Sequence, residues 1–310
     1  MDLLLAIGDL WTRRRARPCA DALWRVRQLS PATVITGAAE GLGLALASII
    51  AGEGRTVVLL ARAQDALEAA KERLRRKYPS ARVIAVQVDA GQPDAPDLID
   101  AVLAKSGLYL DVLVNNAGIG IGGEFCTLAP EKLEELVQTN VTAVTRLTRH
   151  YLPAMRARAR GGIMNIASIA AFTPGPWQSV YFASKAYILS LTAAIGSECS
   201  GEGVRICVLA PGPIETRIHE KMGTSTTFYR ALLPSASPDR MARLAWRSYR
   251  MGRRVVVPGL LNSCLAWSAR ALPYELIVPF VGWLMKPRAF EGRLRKNAIG
   301  TRPGGRGTEC

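Results

Sequence analysis

The chain has 310 residues, 49% hydrophobic and 21% charged, which excludes a wholly disordered protein and suits one core-forming domain with extensions. Its 40 Lys and Arg against 25 Asp and Glu give a formal net charge of +15, a balance that fits nucleic acid, an anionic membrane surface or an anionic ligand. The six cysteines form no Cys-x-x-Cys and the two histidines stand apart; neither a metal site nor a disulfide framework is expected, and a reducing, cytoplasmic compartment fits best.

Residues 1–30 read as a basic amphipathic extension. Leu3, Leu4, Ile7, Leu10 and Trp11 recur at helical spacing, and Arg13, Arg14, Arg15 and Arg17 follow them. A signal peptide has the opposite order, charge before apolar stretch. Such a helix suits a membrane surface, its own domain or a partner subunit. Basic residues are dense again after Arg288, without interleaved aromatics of a nucleic-acid type, so no nucleic-acid partner is expected.

The run Thr33-Val-Ile-Thr36 is β-branched and predicts a strand. It enters Gly37-Ala-Ala-Glu-Gly41-Leu-Gly43, and an apolar helical segment continues to about Glu53. A strand that ends in glycines and opens a helix lets the backbone approach a pyrophosphate, whose charge the free N–H groups favour. Gly37, Glu40, Gly41, Leu42 and Gly43 are therefore candidate cofactor residues, although any tight strand-to-helix turn uses glycine. Residues 56–61 form a second predicted strand, closing on Ala61 and followed by Arg62. An acid at this strand end holds the ribose hydroxyls of an unphosphorylated dinucleotide. A neutral residue followed by a base favours the 2′-phosphate of NADP(H) instead; Glu40 weighs mildly the other way.

Residues 64–78 predict an exposed helix, residues 82–88 a third strand ending at Asp89, and residues 94–106 a helix. Residues 110–114 predict a fourth strand, ending in Asn115-Asn116-Ala117-Gly118. Residues 130–151 read as one helix carrying Asn140. Residues 162–167 form a fifth strand leading to Ser168, residues 181–200 a helix and residues 204–209 a sixth strand, broken by Pro211-Gly212-Pro213. A helix over 238–252 and a last strand over 255–258 complete the series. This alternation is that of an α/β protein: a single Rossmann-type, doubly wound parallel sheet of about seven strands, with helical extensions at both ends.

Tyr181 and Lys185 lie four residues apart, so a helix puts them on one face, one turn apart. An ammonium beside a phenol is expected to lower the phenol pKa from about 10. That makes Tyr181 a usable proton donor or acceptor for a carbonyl or alcohol oxygen, and the Ser168 hydroxyl can reach the same oxygen. Alone, the pair equally describes a helix surface with a long Lys side chain.

Taken together, Thr36-Gly-Ala-Ala-Glu-Gly-Leu-Gly43, Asn115-Asn-Ala-Gly118, Asn140, Ser168, Tyr181-Phe-Ala-Ser-Lys185 and Pro211-Gly212 occur in the order and spacing of the short-chain dehydrogenase/reductase family. The resemblance covers residues 31–258 and is similar to bacterial NADP-dependent reductases, 3-oxoacyl reductases and 17β-hydroxysteroid reductases. It implies Tyr181 as general acid or base and Ser168 as a hydrogen-bond donor to the substrate oxygen. It implies Lys185 on the nicotinamide ribose and Asn140 holding a water in a proton relay. It also implies Asp89 at the adenine, Asn116, Ala117 and Gly118 on the adenosine side, and Pro211, Gly212, Ile214 and Thr216 on the nicotinamide side. Residues 214–238 would be a lid. Glu40 departs from the family's commoner Ser, Arg or Lys.

Residues 259–285 are rich in Leu, Trp, Val and Phe, interrupted by Arg270, Pro273, Glu275 and Pro279. Those breaks exclude a clean membrane span. The segment suits the wall of an apolar substrate pocket, a membrane-surface contact, or packing within the chain or against a second copy; residues 300–310 are expected to be disordered. The functional expectation is an NADP(H)-dependent enzyme interconverting a carbonyl and a secondary alcohol on a lipophilic small molecule. The alternative is a catalytically silent NADP(H)-binding sensor or scaffold, against which the intact Asn140, Ser168, Tyr181 and Lys185 speak.

Overall fold

A computed structural model describes residues 10–215 and 235–286. Seven strands form one sheet: β1 (Ser30–Thr36), β2 (Thr56–Ala61), β3 (Val83–Gln87), β4 (Leu108–Asn115), β5 (Gly161–Ile166), β6 (Val204–Leu209) and β7 (Val255–Val256). Their order across the sheet is β3-β2-β1-β4-β5-β6-β7, and every pairing is parallel. The order reverses between β1 and β4. At such a point the crossovers on either side lead away from each other and leave a crevice at the carboxyl ends of the strands.

Helices cover both faces, so the central strands are continuous apolar runs rather than alternating ones. All eight residues of β4 are buried. One face carries α2 (Gly41–Gly52), α3 (Gln64–Lys77) and α8 (Pro238–Arg250), contributing Leu46, Ile50, Leu67, Leu74 and Trp246 to a common core. The other carries α4 (Ala95–Lys105) and α6 (Ala143–Ala157), with Ile99, Leu103, Leu147 and Met155 against Leu113 and Ile163. Helix α7 (Ser179–Glu198) packs beside β6 through Ile188 and Leu189. The short helix α1 (Ala20–Val26) buries no residue. The chain just before it is pinned at Cys19, whose N–H donates to Ala157 O at 2.7 Å, and at Arg15, whose N–H donates to Gly201 O at 2.6 Å.

Two expectations need correction. The single helix over residues 130–151 is two helices, α5 (Pro130–Val137) and α6, joined by a π-helical turn at Gln138–Thr142. The wide turn lets the Asn140 amide leave the helix and bond the backbone of Ile119, as described below. The last strand is two residues long rather than four, because Pro258 supplies no N–H to extend the ladder.

The apolar stretch after β7 folds as α9 (Leu260–Ala271) and α10 (Tyr274–Met285). Ala269, Ile277, Val281 and Met285 form a separate small core with Ala170 and Phe182, bordered by Tyr181, Phe172 and Trp177. Trp177 Nε1 donates to Gly282 O at 3.2 Å. The appendage thus sits on the carboxyl-end side of the sheet, against the start of α7. No described helix is long and apolar enough to cross a membrane.

Candidate active site

The crevice between β1 and β4 widens into a cleft of about 1540 Å³, running from Arg62 and Asp89 past the glycine turn to Ser168, Tyr181 and the inner faces of α9 and α10. The glycine turn forms one wall. Gly37 and Gly41 have φ of 64° and 58°, left-handed values that other residues adopt at a cost. A Cβ on Gly37 would lie 2.9 Å from Ala117 Cα, and one on Gly43 would overlap Gly37 O and stand 2.5 Å from Asn116 Nδ2. The two chain segments are therefore in backbone contact, and the first turn of α2 lines the cleft with Gly41, Leu42 and Leu44. This cradle fits a dinucleotide pyrophosphate.

What holds the cradle is a hydrogen-bond set centred on Thr36. Its Oγ1 accepts from Asn116 N–H at 3.0 Å and Ala117 N–H at 2.9 Å. The Asn116 amide donates to Thr36 O and Gly37 O, both at 3.0 Å. The Asn116 side chain thus faces the glycine turn, while the backbone of Asn116, Ala117 and Gly118 lines the cleft. Asp89 lines it too, with Oδ1 accepting from Gly91 N–H at 2.9 Å. Arg62 stands at the carboxyl end of β2, exposed, with NH1 2.6 Å from Glu135 Oε1 on α5. Glu40, Gly41 and Leu42 line the cleft, Leu42 being otherwise buried in the core, whereas Gly43 lies behind the turn and not on the lining.

At the other end, Ser168 follows β5 in extended conformation, its Oγ accepting from Ala170 N–H at 3.2 Å. Tyr181 and Lys185 leave the first turns of α7 on one face. Lys185 is buried; its Nζ donates to Ile166 O at 3.1 Å and sits 5.7 Å from the centre of the Tyr181 ring. The spacing predicts a phenol pKa lowered by this ammonium, and the structure gives the opposite. Burial raises the Tyr181 pKa, against a smaller lowering by a hydrogen bond to Ser168. Burial also brings the Lys185 pKa down to about 8. Both shifts are the cost of holding charge away from water.

Asn140 ties this end of the cleft together. Its Oδ1 accepts from Ile119 N–H at 2.9 Å, and its Nδ2 donates to Ile119 O at 2.8 Å and Ser184 Oγ at 3.0 Å. Ser184 Oγ in turn donates to Tyr181 O at 2.7 Å. A Cβ on Gly118 would be 3.3 Å from both Asn140 Oδ1 and Lys185 Nζ, so Asn140, Lys185 and the Gly118 backbone converge on one spot. Pro211 O accepts from Ile169 N–H at 2.8 Å, Gly212 packs against Asn262, and Ile214 pairs with Ala236 across an isolated bridge. Thr216 and most of the expected lid lie outside the described residues.

Several contributors went unrecognised from sequence. Ser184 lies inside the Tyr-x-x-x-Lys spacing, where only its hydroxyl marks it. Thr36 is a β-branched strand residue whose hydroxyl serves the turn. Glu135 carries no local signal. Gln178 lines the cleft through tertiary packing alone, whereas Leu272 and Leu276, which also line it, fall in the stretch read as a possible pocket wall.

Residues 31–226 match the family model described as short chain dehydrogenase. The chain is 34% identical over 203 residues to 17-beta-hydroxysteroid dehydrogenase type 3 of Rattus norvegicus, covering 64% of this chain and 65% of that protein; it thus spans less than two thirds of that relative's length. It is 30% identical over 265 residues to very-long-chain 3-oxoacyl-CoA reductase-B of Danio rerio, covering 84% and 81%. Among solved structures, a short-chain dehydrogenase from Sphingobium yanoikuyae in complex with NADPH superposes with a TM-score of 0.68 at 26% identity, covering 89% of this chain and 98% of that one.

Proposed function

The chain belongs to the short-chain dehydrogenase family, and on that premise we propose that it interconverts a carbonyl and a secondary alcohol with NADP(H), on a lipophilic substrate of the long-chain 3-oxoacyl or steroid-like kind. The observation that carries the reading is the meeting of Ser168, Tyr181 and Lys185 at one end of a cleft whose other end is the glycine cradle. When bound, NADPH supplies the hydride that reduces the carbonyl carbon. In this reading Gly37, Gly41, Gly43 and the start of α2 hold the pyrophosphate, with Glu40 and Leu42 shaping the turn. Asp89 and the Asn116–Ala117–Gly118 backbone flank the adenosine, Arg62 holds the 2′-phosphate, and Pro211, Gly212 and Ile214 border the nicotinamide.

Tyr181 gives its proton to the substrate oxygen. A pKa raised by burial keeps that proton in place at neutral pH, which suits an acid acting in the reductive direction. Ser168 Oγ donates a hydrogen bond to the same oxygen and favours the alkoxide as it develops. Lys185 stabilises the phenolate left on Tyr181 and holds the ribose hydroxyls. Asn140 fixes Ile119 against α7 beside Lys185, on the route by which the proton is replaced. The apolar inner faces of α9 and α10 receive the body of the substrate. Support for NADP(H) over NAD(H) is the Ala61-Arg62 pair at the end of β2.

The test is turnover of NADPH by the purified full chain against 3-oxoacyl thioesters of rising length and steroid ketones, for wild type and Tyr181→Phe. Loss of the transferable proton is expected to lower turnover by about 10²- to 10⁴-fold, with little change in NADPH affinity. Activity of Tyr181→Phe within about tenfold of wild type overturns the assignment.

A further inference from the structure

Helices α9 and α10 have two apolar faces where a core helix needs one. The inner face, Ala266, Ala269, Ile277, Val281 and Met285, is buried. The outer face carries Leu260, Trp267, Tyr274, Leu276, Phe280 and Trp283, with relative exposures from 53% to 89%. Leu276, Phe280 and Trp283 follow at intervals of four and three, and Leu260 and Trp267 lie two turns apart, so each helix presents one stripe. Exposed apolar stripes of this kind mark an interaction surface rather than scattered surface residues. The patch also continues into the cleft: Leu265, Leu272, Leu276 and Phe280 are exposed and line the cleft as well. The mouth of the cleft is therefore rimmed by the patch.

Charge selects what covers it. Between Leu260 and Lys286 the appendage carries Arg270 and Lys286 against Glu275 alone, and residues 287–310 add six basic residues against two acidic ones. A second copy of a chain with net charge +15 would bring like charges together, whereas an anionic surface is drawn to both the appendage and the segment after it. Trp and Tyr with an apolar body and a polar edge suit the headgroup boundary of a bilayer.

We propose that the outer face of α9 and α10 docks in the interfacial layer of an anionic lipid bilayer, with the mouth of the cleft turned toward the acyl chains. The docking stands on the surface itself; the passage of a lipophilic substrate from the bilayer into the cleft rests on the proposed reductase reading.

The experiment is flotation of the full chain with vesicles of phosphatidylcholine, alone and mixed with phosphatidylglycerol, at low and high salt, for wild type and the double variant Trp267→Ser, Trp283→Ser. Wild type is expected to float with the mixed vesicles and to remain partly bound at high salt. The double variant is expected to lose on the order of tenfold or more in partitioning. A second readout, quenching of tryptophan fluorescence by brominated phosphatidylcholine in mixed vesicles, uses the conservative variants Trp267→Phe and Trp283→Phe, and decides the matter if the serine variant fails to fold. Each is expected to lose part of the quenching. Failure of wild type to float overturns the proposal, as does flotation abolished by salt and indifferent to both tryptophans, which would assign binding to the charged termini. Concentration-dependent dimers that the double variant abolishes, without vesicle binding, would assign the face to a second copy. A protein that docks but does not turn over NADPH leaves this proposal standing and sinks the catalytic one; a protein active on soluble ketones that ignores vesicles does the reverse.

Discussion

Asn140→Ala is the substitution whose cost the structure sets out most directly. The side chain is 1% exposed and makes three hydrogen bonds, two to the backbone of Ile119 and one to Ser184 Oγ. Each such bond contributes about 1 kcal/mol net, and an unpaired buried group costs about 1–3 kcal/mol. Ile119 is only half-buried, so water recovers part of the loss there; Ser184 is buried. The expected destabilisation is about 2–3 kcal/mol, read by urea unfolding followed by tryptophan fluorescence. Ser184→Ala removes one of the three bonds together with the donor to Tyr181 O, and should cost about 1–2 kcal/mol. If the pair acts through the shared bond, the double variant will be less destabilised than the sum by about 1 kcal/mol. Additive costs, or an Asn140→Ala cost under about 1 kcal/mol, would refute the view that Asn140 ties Ile119 to α7.

Three further outcomes follow from other contacts. Glu135→Gln removes the carboxylate that pairs with Arg62, so affinity for NADPH should rise severalfold relative to NADH, and Arg62→Ala should reverse that order; equal effects on both cofactors in a fluorescence titration would remove Arg62 from the 2′-phosphate. Gly43→Ala puts a methyl group into Gly37 O and Asn116 Nδ2, so it should lower both melting temperature and NADPH affinity; unchanged affinity would show that the cradle does not hold the cofactor. Burial raises the Cys207 thiol to about 12 from 9.0. The folded state therefore holds a proton that the unfolded chain gives up above 9.0, and stability is lost as pH rises from there toward 12; Cys207→Ala should flatten part of the alkaline fall in melting temperature measured by calorimetry.

The sheet was legible because buried parallel strands are short apolar runs bounded by glycine and polar turns, and β1, β2 and β6 read that way. The glycine turn was legible as a tight strand-to-helix turn; that spacing alone has other uses, and the motifs downstream of it narrowed the reading. The π-helical turn at Gln138–Thr142 was not, since one extra residue in a helix leaves the apolar spacing on either side almost unchanged. The direction of the Tyr181 shift was not, because spacing brings Lys185 near but says nothing of how far both groups are from water. The richness of residues 259–285 in apolar side chains was plain from the letters. Their division into a buried face, packed on Phe182 and Trp177, and an exposed face depends on where the helices lie, and no local pattern carries that.

The centre of the sheet has a consequence for how the chain is made. β1 lies between β2 and β4, and Ser30 is in register with Leu108, so one edge of the first strand waits for a partner roughly 80 residues later. At about 5–20 residues per second, a growing chain spends roughly 4–16 s with Val34, Ile35 and their neighbours paired on one side only. Until β4 emerges from the ribosome that open edge is a template for other strands. Pairing of β4 closes that edge of β1 and opens one on β4, whose other neighbour is β5, so the nascent chain should stay a chaperone client until β5 has left the ribosome.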